Sequence, residues 1–176
     1  MDFTEIKKSS QNIFTGKIVK LRVDTVELPN GKEATRECIE HPGAVAVIAR
    51  DDQDRICLVR QYRYPVGEML WEIPAGKLSP GEDPLECAQR ELLEEAGIIA
   101  DSWEKLYCYY TTPGFTDEFI HLYLASGLTW GESHPDEDEF LNAEMIPYQE
   151  ACARMNRGEI KDGKTLIGLL HLAKRE

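Results

Sequence analysis

Between Asp83 and Gly97 the sequence marks both ends of one helix, and what the rest of the chain folds into has to accommodate it. Asp83 offers a capping carboxylate, Pro84 fits the first helical position, and Glu86 stands three residues after the cap, the spacing of a capping box. Gly97 supplies the left-handed residue that closes such a helix. Leu85, Ala88, Leu92 and Leu93 give the helix an apolar side. Glu91, Glu94 and Glu95, spaced by three and four, share another. Like charges at that spacing destabilise a helix by roughly 0.2–0.5 kcal/mol per pair. Glu94 and Glu95 also fall in the last turn, where the helix dipole disfavours anions by about 0.3–1 kcal/mol each. Both costs disappear if a divalent cation lies between the carboxylates, and hard oxygen donors suit magnesium or manganese. The bland alternative is a solvated acidic face.

The flanks of this helix read as strands. Ile13 to His41 alternates through KIVKLRVDTVEL, with Pro29-Asn30-Gly31 as a hairpin turn. Ala44 to Ala49 is a short apolar run of the buried-strand kind, Asp51 to Asp54 a turn, and Ile56 to Gln61 the returning strand. A polar and aromatic stretch, Tyr62 to Trp71, leads into Glu72-Ile73-Pro74-Ala75-Gly76. Beyond the helix, strands are predicted near Trp103 to Tyr110, Glu118 to Ala125 and Phe140 to Ile146. Helices are predicted near Tyr148 to Asn156 and Gly163 to Lys174. The fold class is α+β.

Charge bears on function. The 176 residues carry 32 acidic and 20 basic side chains, a formal net charge of −12. Such a balance repels nucleic-acid backbones and anionic membranes, so neither is an expected partner. An acidic protein that handled phosphates would need a cation in between. Five scattered cysteines with no CxxC pair argue against a disulfide framework and for a reducing, cytoplasmic setting. The start of the chain lacks an apolar run of signal-peptide or membrane-helix length. His41, His121, His134 and His171 have no metal-ligand spacing.

Residues 76–98, GKLSPGEDPLECAQRELLEEAGI, set Gly76, Glu82, Arg90, Glu91, Glu94, Glu95 and Gly97 in one register. The segment resembles the Nudix hydrolase signature at every defining position. With each residue at about 5–7% background, chance agreement is on the order of one in a hundred million per start position. The resemblance implies a Nudix-type α/β/α sandwich with a mixed sheet over residues 43–176. By the same resemblance an amino-terminal antiparallel β-hairpin arm, residues 1–42, precedes it and is expected to serve dimerisation and adenosine contacts. It further implies hydrolysis of a diphosphate linked to some moiety. By the resemblance magnesium (or manganese) is expected to be held by the Ala75 carbonyl, Glu91, Glu94 and Glu95, with Glu82 and Arg90 as scaffold.

Thr112-Pro113-Gly114-Phe115-Thr116-Asp117-Glu118 places a proline sixteen residues after Gly97 and is similar to the ADP-ribose pyrophosphatase branch. By that likeness Pro113 and Glu118 meet the terminal ribose, and Arg63, in Arg60-Gln61-Tyr62-Arg63, meets a phosphate or that ribose. Lys77 joins the substrate-binding set, and Arg36 and Glu37 hold the adenosine half. The plain alternatives are a turn at Pro113 and a surface arginine on an edge strand at Arg36. In the acidic loop Pro135-Asp136-Glu137-Asp138-Glu139-Phe140, the resemblance makes Glu137 the catalytic base and Glu139 a further metal ligand, with Glu95 the central catalytic carboxylate. The implied reaction converts ADP-ribose to AMP and ribose 5-phosphate in a homodimer. Rivals are hydrolysis of GDP-mannose, a dinucleoside polyphosphate or an oxidised nucleoside triphosphate, sensing of ADP-ribose without cleavage, and an acidic scaffold.

Overall fold

A computed structural model describes residues 2–134 and 140–175. The chain divides into two compact units, residues 1–43 with 109–120, and residues 44–108 with 121–176. The first unit carries an antiparallel meander, β1 (Ile6–Thr15), β2 (Lys20–Glu27) and β3 (Glu33–Glu40), in the order β1-β2-β3. The turn expected at Pro29-Asn30-Gly31 joins β2 to β3: Gly31, at φ 78°, donates its N–H to the Leu28 carbonyl at 2.9 Å. The arm thus has one more strand than a hairpin. All of β1 is exposed, so it lacks the buried face whose alternation would announce a strand, and pairing with β2 alone defines it.

The second unit is organised around β4 (Ala44–Ala49), whose residues are all buried. A strand covered on both faces reads as an unbroken apolar run. Val45, Val47 and Ala49 pack with Cys87, Ala88 and Leu92 of α1 (Pro84–Ala96). Ile48 points the other way, so close to α3 (Gly163–Ala173) that a methyl group added at Gly168 would lie 2.8 Å from it. Helices on opposite faces of one strand make the expected α/β/α sandwich.

Beside β4 runs β7 (Ala75–Lys77), with Val45 opposite Gly76 and Ala46 opposite Ala75. The four-stranded order is β7-β4-β9-β8, where β8 is Ile98–Tyr110 and β9 is Phe119–Trp130. A second sheet, β10-β5-β6, pairs β5 (Arg55–Arg63) antiparallel with β6 (Glu68–Glu72) and with β10 (Leu141–Pro147). Helix α2 (Tyr148–Asn156) follows β10 directly. Strand β6 falls largely in the polar and aromatic stretch and β7 in the segment that follows it, neither of which was read as a strand. β6 exposes Glu68 and Met69, and β7 is three residues long, too short for any period to show. Strand β8 starts right after the helix cap, earlier than Trp103, because Ile98 is core.

Candidate active site

Local chemistry fixes α1 as the sequence requires. Asp83 Oδ1 accepts the Leu85 and Glu86 N–H groups at 2.8 and 3.3 Å. Gly97 stops the helix in the left-handed conformation, φ 63°, and its N–H returns to the Leu93 carbonyl at 2.8 Å. A Cβ there would stand 2.9 Å from the Gly131 carbonyl oxygen, so shape and backbone both exclude a side chain.

The acidic face of α1 then meets β7. Glu91 and Glu95 are buried, at 8% and 4% exposure, which is rare for glutamates unless something holds their charge. Glu95 Oε2 accepts the Ala75 N–H at 3.0 Å. The Glu91 carboxyl lies over Gly76, where a Cβ would come within 1.9 Å of it. Gly76 is therefore a position at which backbone and carboxylate touch. Glu94, half-buried, lies one turn on from Glu91.

Arg90 ties the carboxylates together. It grips Glu82 with Nε at 2.9 Å and Nη2 at 3.1 Å, and its Nη1 reaches Glu91 at 2.8 Å and Glu94 at 2.9 Å. Nη2 also approaches the Lys77 carbonyl at 3.4 Å. The Arg90 guanidinium and the Ser79 N–H hold the Glu82 carboxyl down at about 2. The mutual repulsion of Glu91 and Glu94 is thus answered in part by an arginine. Burial pushes the neighbouring thiols Cys57 and Cys87 up to about 12, so both stay protonated and inert at neutral pH.

Among the described residues no three Asp, Glu, His or Cys side chains gather closely enough to enclose one ion. The donor chemistry nonetheless fits a hard divalent cation. Two buried carboxylates from one helix face converge on the Ala75–Gly76 backbone, and the missing side chain at Gly76 lets the Glu91 carboxyl approach it. Glu137 and Glu139 lie outside the described residues. The chain that leads toward them is anchored, since the His134 N–H reaches the Glu94 carbonyl at 3.0 Å and Gly131 N–H the Gly97 carbonyl at 2.7 Å.

The remaining candidates fall as follows. Arg63 ends β5 with its guanidinium forked on Glu72, and Lys77 sends its side chain to solvent. In the first unit Arg36 and Glu37 are exposed on β3, and Arg36 forks onto Glu5. Pro113 is in an exposed turn, where the Phe115 and Thr116 N–H groups return to the Thr112 carbonyl. Glu118 takes the Thr111 hydroxyl at 2.5 Å and has His41 Nε2 3.6 Å away. Sequence reasoning missed Glu72, the most deeply buried charge beside the site. Its one signal was an acid inside an apolar run, Trp71-Glu72-Ile73-Pro74.

Comparison with known proteins agrees with this geometry. Residues 40–166 match the NUDIX domain, and residues 5–39 match the nucleoside diphosphate sugar hydrolase N-terminal domain. The chain is 46% identical over 176 residues to a methanol dehydrogenase activator of Bacillus methanolicus, covering 99% of this chain and 95% of that one. It is 42% identical over 170 residues to an ADP-ribose pyrophosphatase of Bacillus subtilis, covering 96% and 92%. A crystal structure of an ADP compounds hydrolase superposes with a TM-score of 0.86 at 19% identity, over 99% of this chain and 95% of that chain, and has the same fold.

Proposed function

The chain belongs to the NUDIX family, and from that premise we propose that it hydrolyses the diphosphate of ADP-ribose, or a closely related ADP-sugar, to AMP and ribose 5-phosphate. One observation carries the reading. Two buried glutamates of one helix, Glu91 and Glu95, converge on the Ala75–Gly76 backbone in a chain 42% identical to an ADP-ribose pyrophosphatase. The relative that activates methanol dehydrogenase is named for an effect on another enzyme, and the name leaves the cleaved bond unstated.

Glu91, Glu95 and the Ala75 carbonyl, with Glu94 and Glu139, hold magnesium. When bound, the cation supplies positive charge to the diphosphate and acidifies a water. The protein's own groups do the rest. Arg90 and Glu82 fix the helix face that presents the carboxylates. Arg63 and Lys77 meet phosphate charge. Water adds to one phosphorus, the bridging phosphorus–oxygen bond breaks, and the proton passes to a carboxylate, Glu137 in this reading. Positioning and charge stabilisation are sufficient for such a transfer.

Arg36 and Glu37 on the arm contact the adenosine half, and Pro113 and Glu118 the terminal ribose. The arm, residues 1–42, pairs two subunits into a homodimer, and the enzyme works in the cytoplasm. No helix among the described residues is long and apolar enough to cross a membrane. Nucleic acid and membranes are no partners, given the net charge of −12. A panel of ADP-ribose, GDP-mannose and diadenosine polyphosphates in magnesium, scored by product identity, tests the substrate. AMP with ribose 5-phosphate, formed fastest from ADP-ribose, is the expected result. Preference for GDP-mannose would move the chain to another branch, and binding without turnover would make it a sensor.

A further inference from the structure

A cluster of charges joins the end of β6 to the beginning of α3. Glu72 closes β6 with its side chain 2% exposed, and the next residues, Ile73 and Pro74, are buried as well. A carboxylate in such a place is costly unless opposite charge and hydrogen bonds meet it. Arg63 lays Nε on Oε1 at 2.7 Å and Nη2 on Oε2 at 2.8 Å. Lys164, only 11% exposed, donates Nζ to Glu72 Oε2 and, at 2.9 Å, to Asp162 Oδ1. Asp162 caps α3, its Oδ2 accepting the Thr165 N–H at 3.0 Å and hydroxyl at 2.6 Å. The Thr165 oxygen in turn accepts the Ile73 N–H at 2.8 Å. The circuit closes on itself: Arg63 and Lys164 balance Glu72 and Asp162, and Asp162 has the favourable end of a helix dipole beside it.

A guanidinium has five N–H donors in a rigid fork. Glu72 takes the edge formed by Nε and Nη2, which leaves the edge formed by Nη1 and Nη2 on a side chain 43% exposed. Lys164 shares the Glu72 carboxylate, so Arg63 donates to it through one edge alone and keeps N–H donors for an anion. Glu72 stands three residues before Ala75, whose N–H meets Glu95 Oε2 at 3.0 Å, so the pair that holds Arg63 adjoins the α1 carboxylates. The Glu72 hydrogen bond, against the desolvation of a part-buried side chain, raises the Arg63 pKa and keeps the guanidinium charged.

We propose that Glu72, with Lys164 as its counter-ion, is a positioning residue that locks Arg63 so that its second edge meets a pair of phosphate oxygens on the substrate diphosphate. The proposal rests on the reading of Arg63 as a phosphate contact. It assigns to the amino-terminal end of α3 a part in binding substrate, transmitted through side chains that never touch it.

Steady-state kinetics with ADP-ribose and magnesium on Glu72→Gln, Arg63→Met and the double variant test it. An amide cannot accept on both of its terminal atoms, so the Glu72→Gln fork opens. In the wild-type background Glu72→Gln is expected to raise KM about tenfold while kcat changes less than about twofold. In the Arg63→Met background it should leave KM where Arg63→Met alone puts it. The same factor in both backgrounds, with Arg63→Met itself raising KM, rejects the clamp and leaves Arg63 as a phosphate contact. A loss of kcat at constant KM rejects it too. An Arg63→Met enzyme with wild-type KM removes the phosphate reading, and the clamp falls with it. Should Glu72→Gln fail to fold, Lys164→Met enters the same cycle. It should raise KM a few-fold in the wild-type background and leave it unchanged in the Arg63→Met background. Equal effects of Lys164→Met in the two backgrounds overturn the proposal.

Discussion

Single residues decide whether the α1 face works. Glu95 is buried, hydrogen-bonded to the Ala75 N–H and central to the proposed metal set, so Glu95→Gln should lower kcat by about a hundredfold or more. Circular dichroism and thermal unfolding are expected to stay close to wild type, because an amide fills the same volume. Gly76→Ala tests the close approach from the other side. The new methyl would overlap the Glu91 carboxyl, the far end of a flexible side chain, which can swing away. Turnover should therefore fall much further than stability, and kinetics beside a denaturation curve will separate the two. Glu82 gives a pH signature. Its folded pKa, held at about 2 chiefly by Arg90, lies below the ordinary 4.5. A depressed carboxylate contributes stability that is present in full above 4.5 and is lost as pH falls through about 2. The destabilisation caused by Glu82→Gln, measured by denaturant unfolding, should therefore shrink steadily across that interval and stay constant above it.

Elements differ in how openly the sequence announces them. Helix α1 was legible to the residue, since Asp83 and Gly97 act locally and the structure uses both as caps. Removing them should cost accordingly. Asp83→Ala is expected to lose about 1 kcal/mol in urea unfolding. Gly97→Ala should lose more, because a left-handed backbone and the Gly131 carbonyl 2.9 Å away both oppose a side chain. Strand β4 was legible as an apolar run, though its two covering helices were not assigned to faces. Strands β1, β6 and β7 escaped for the physical reasons of full exposure, an edge position with only its last residue buried, and brevity. Contacts between distant positions escaped as well. The Ile73 N–H and Thr165 are 92 residues apart, and Arg36 and Glu5 are 31 apart, so periodicity could not bring either pair together. Glu82 and Arg90 were expected only as scaffold, and the structure pairs them across the loop and nearly two helical turns.

For the whole molecule, the proposed function has a cation reconcile the acidic balance with the handling of phosphate, and everything else in that function depends on it. The fold delivers the Ala75–Gly76 backbone from β7, the carboxylates from α1 and the Arg63 guanidinium from β5, all within the larger compact unit. The adenosine and ribose contacts proposed for Arg36, Glu37, Pro113 and Glu118 belong to the smaller one. Their effect should therefore appear in substrate preference, with metal dependence unchanged. The most direct measurement is product analysis with ADP-ribose as magnesium is stripped by chelator and then restored. AMP and ribose 5-phosphate are expected in magnesium, none in chelator, with recovery on adding the metal back, and almost none at any magnesium concentration from Glu95→Gln. Undiminished turnover in chelator, or no cleavage of ADP-ribose by wild-type protein at saturating magnesium, would contradict the cation's role.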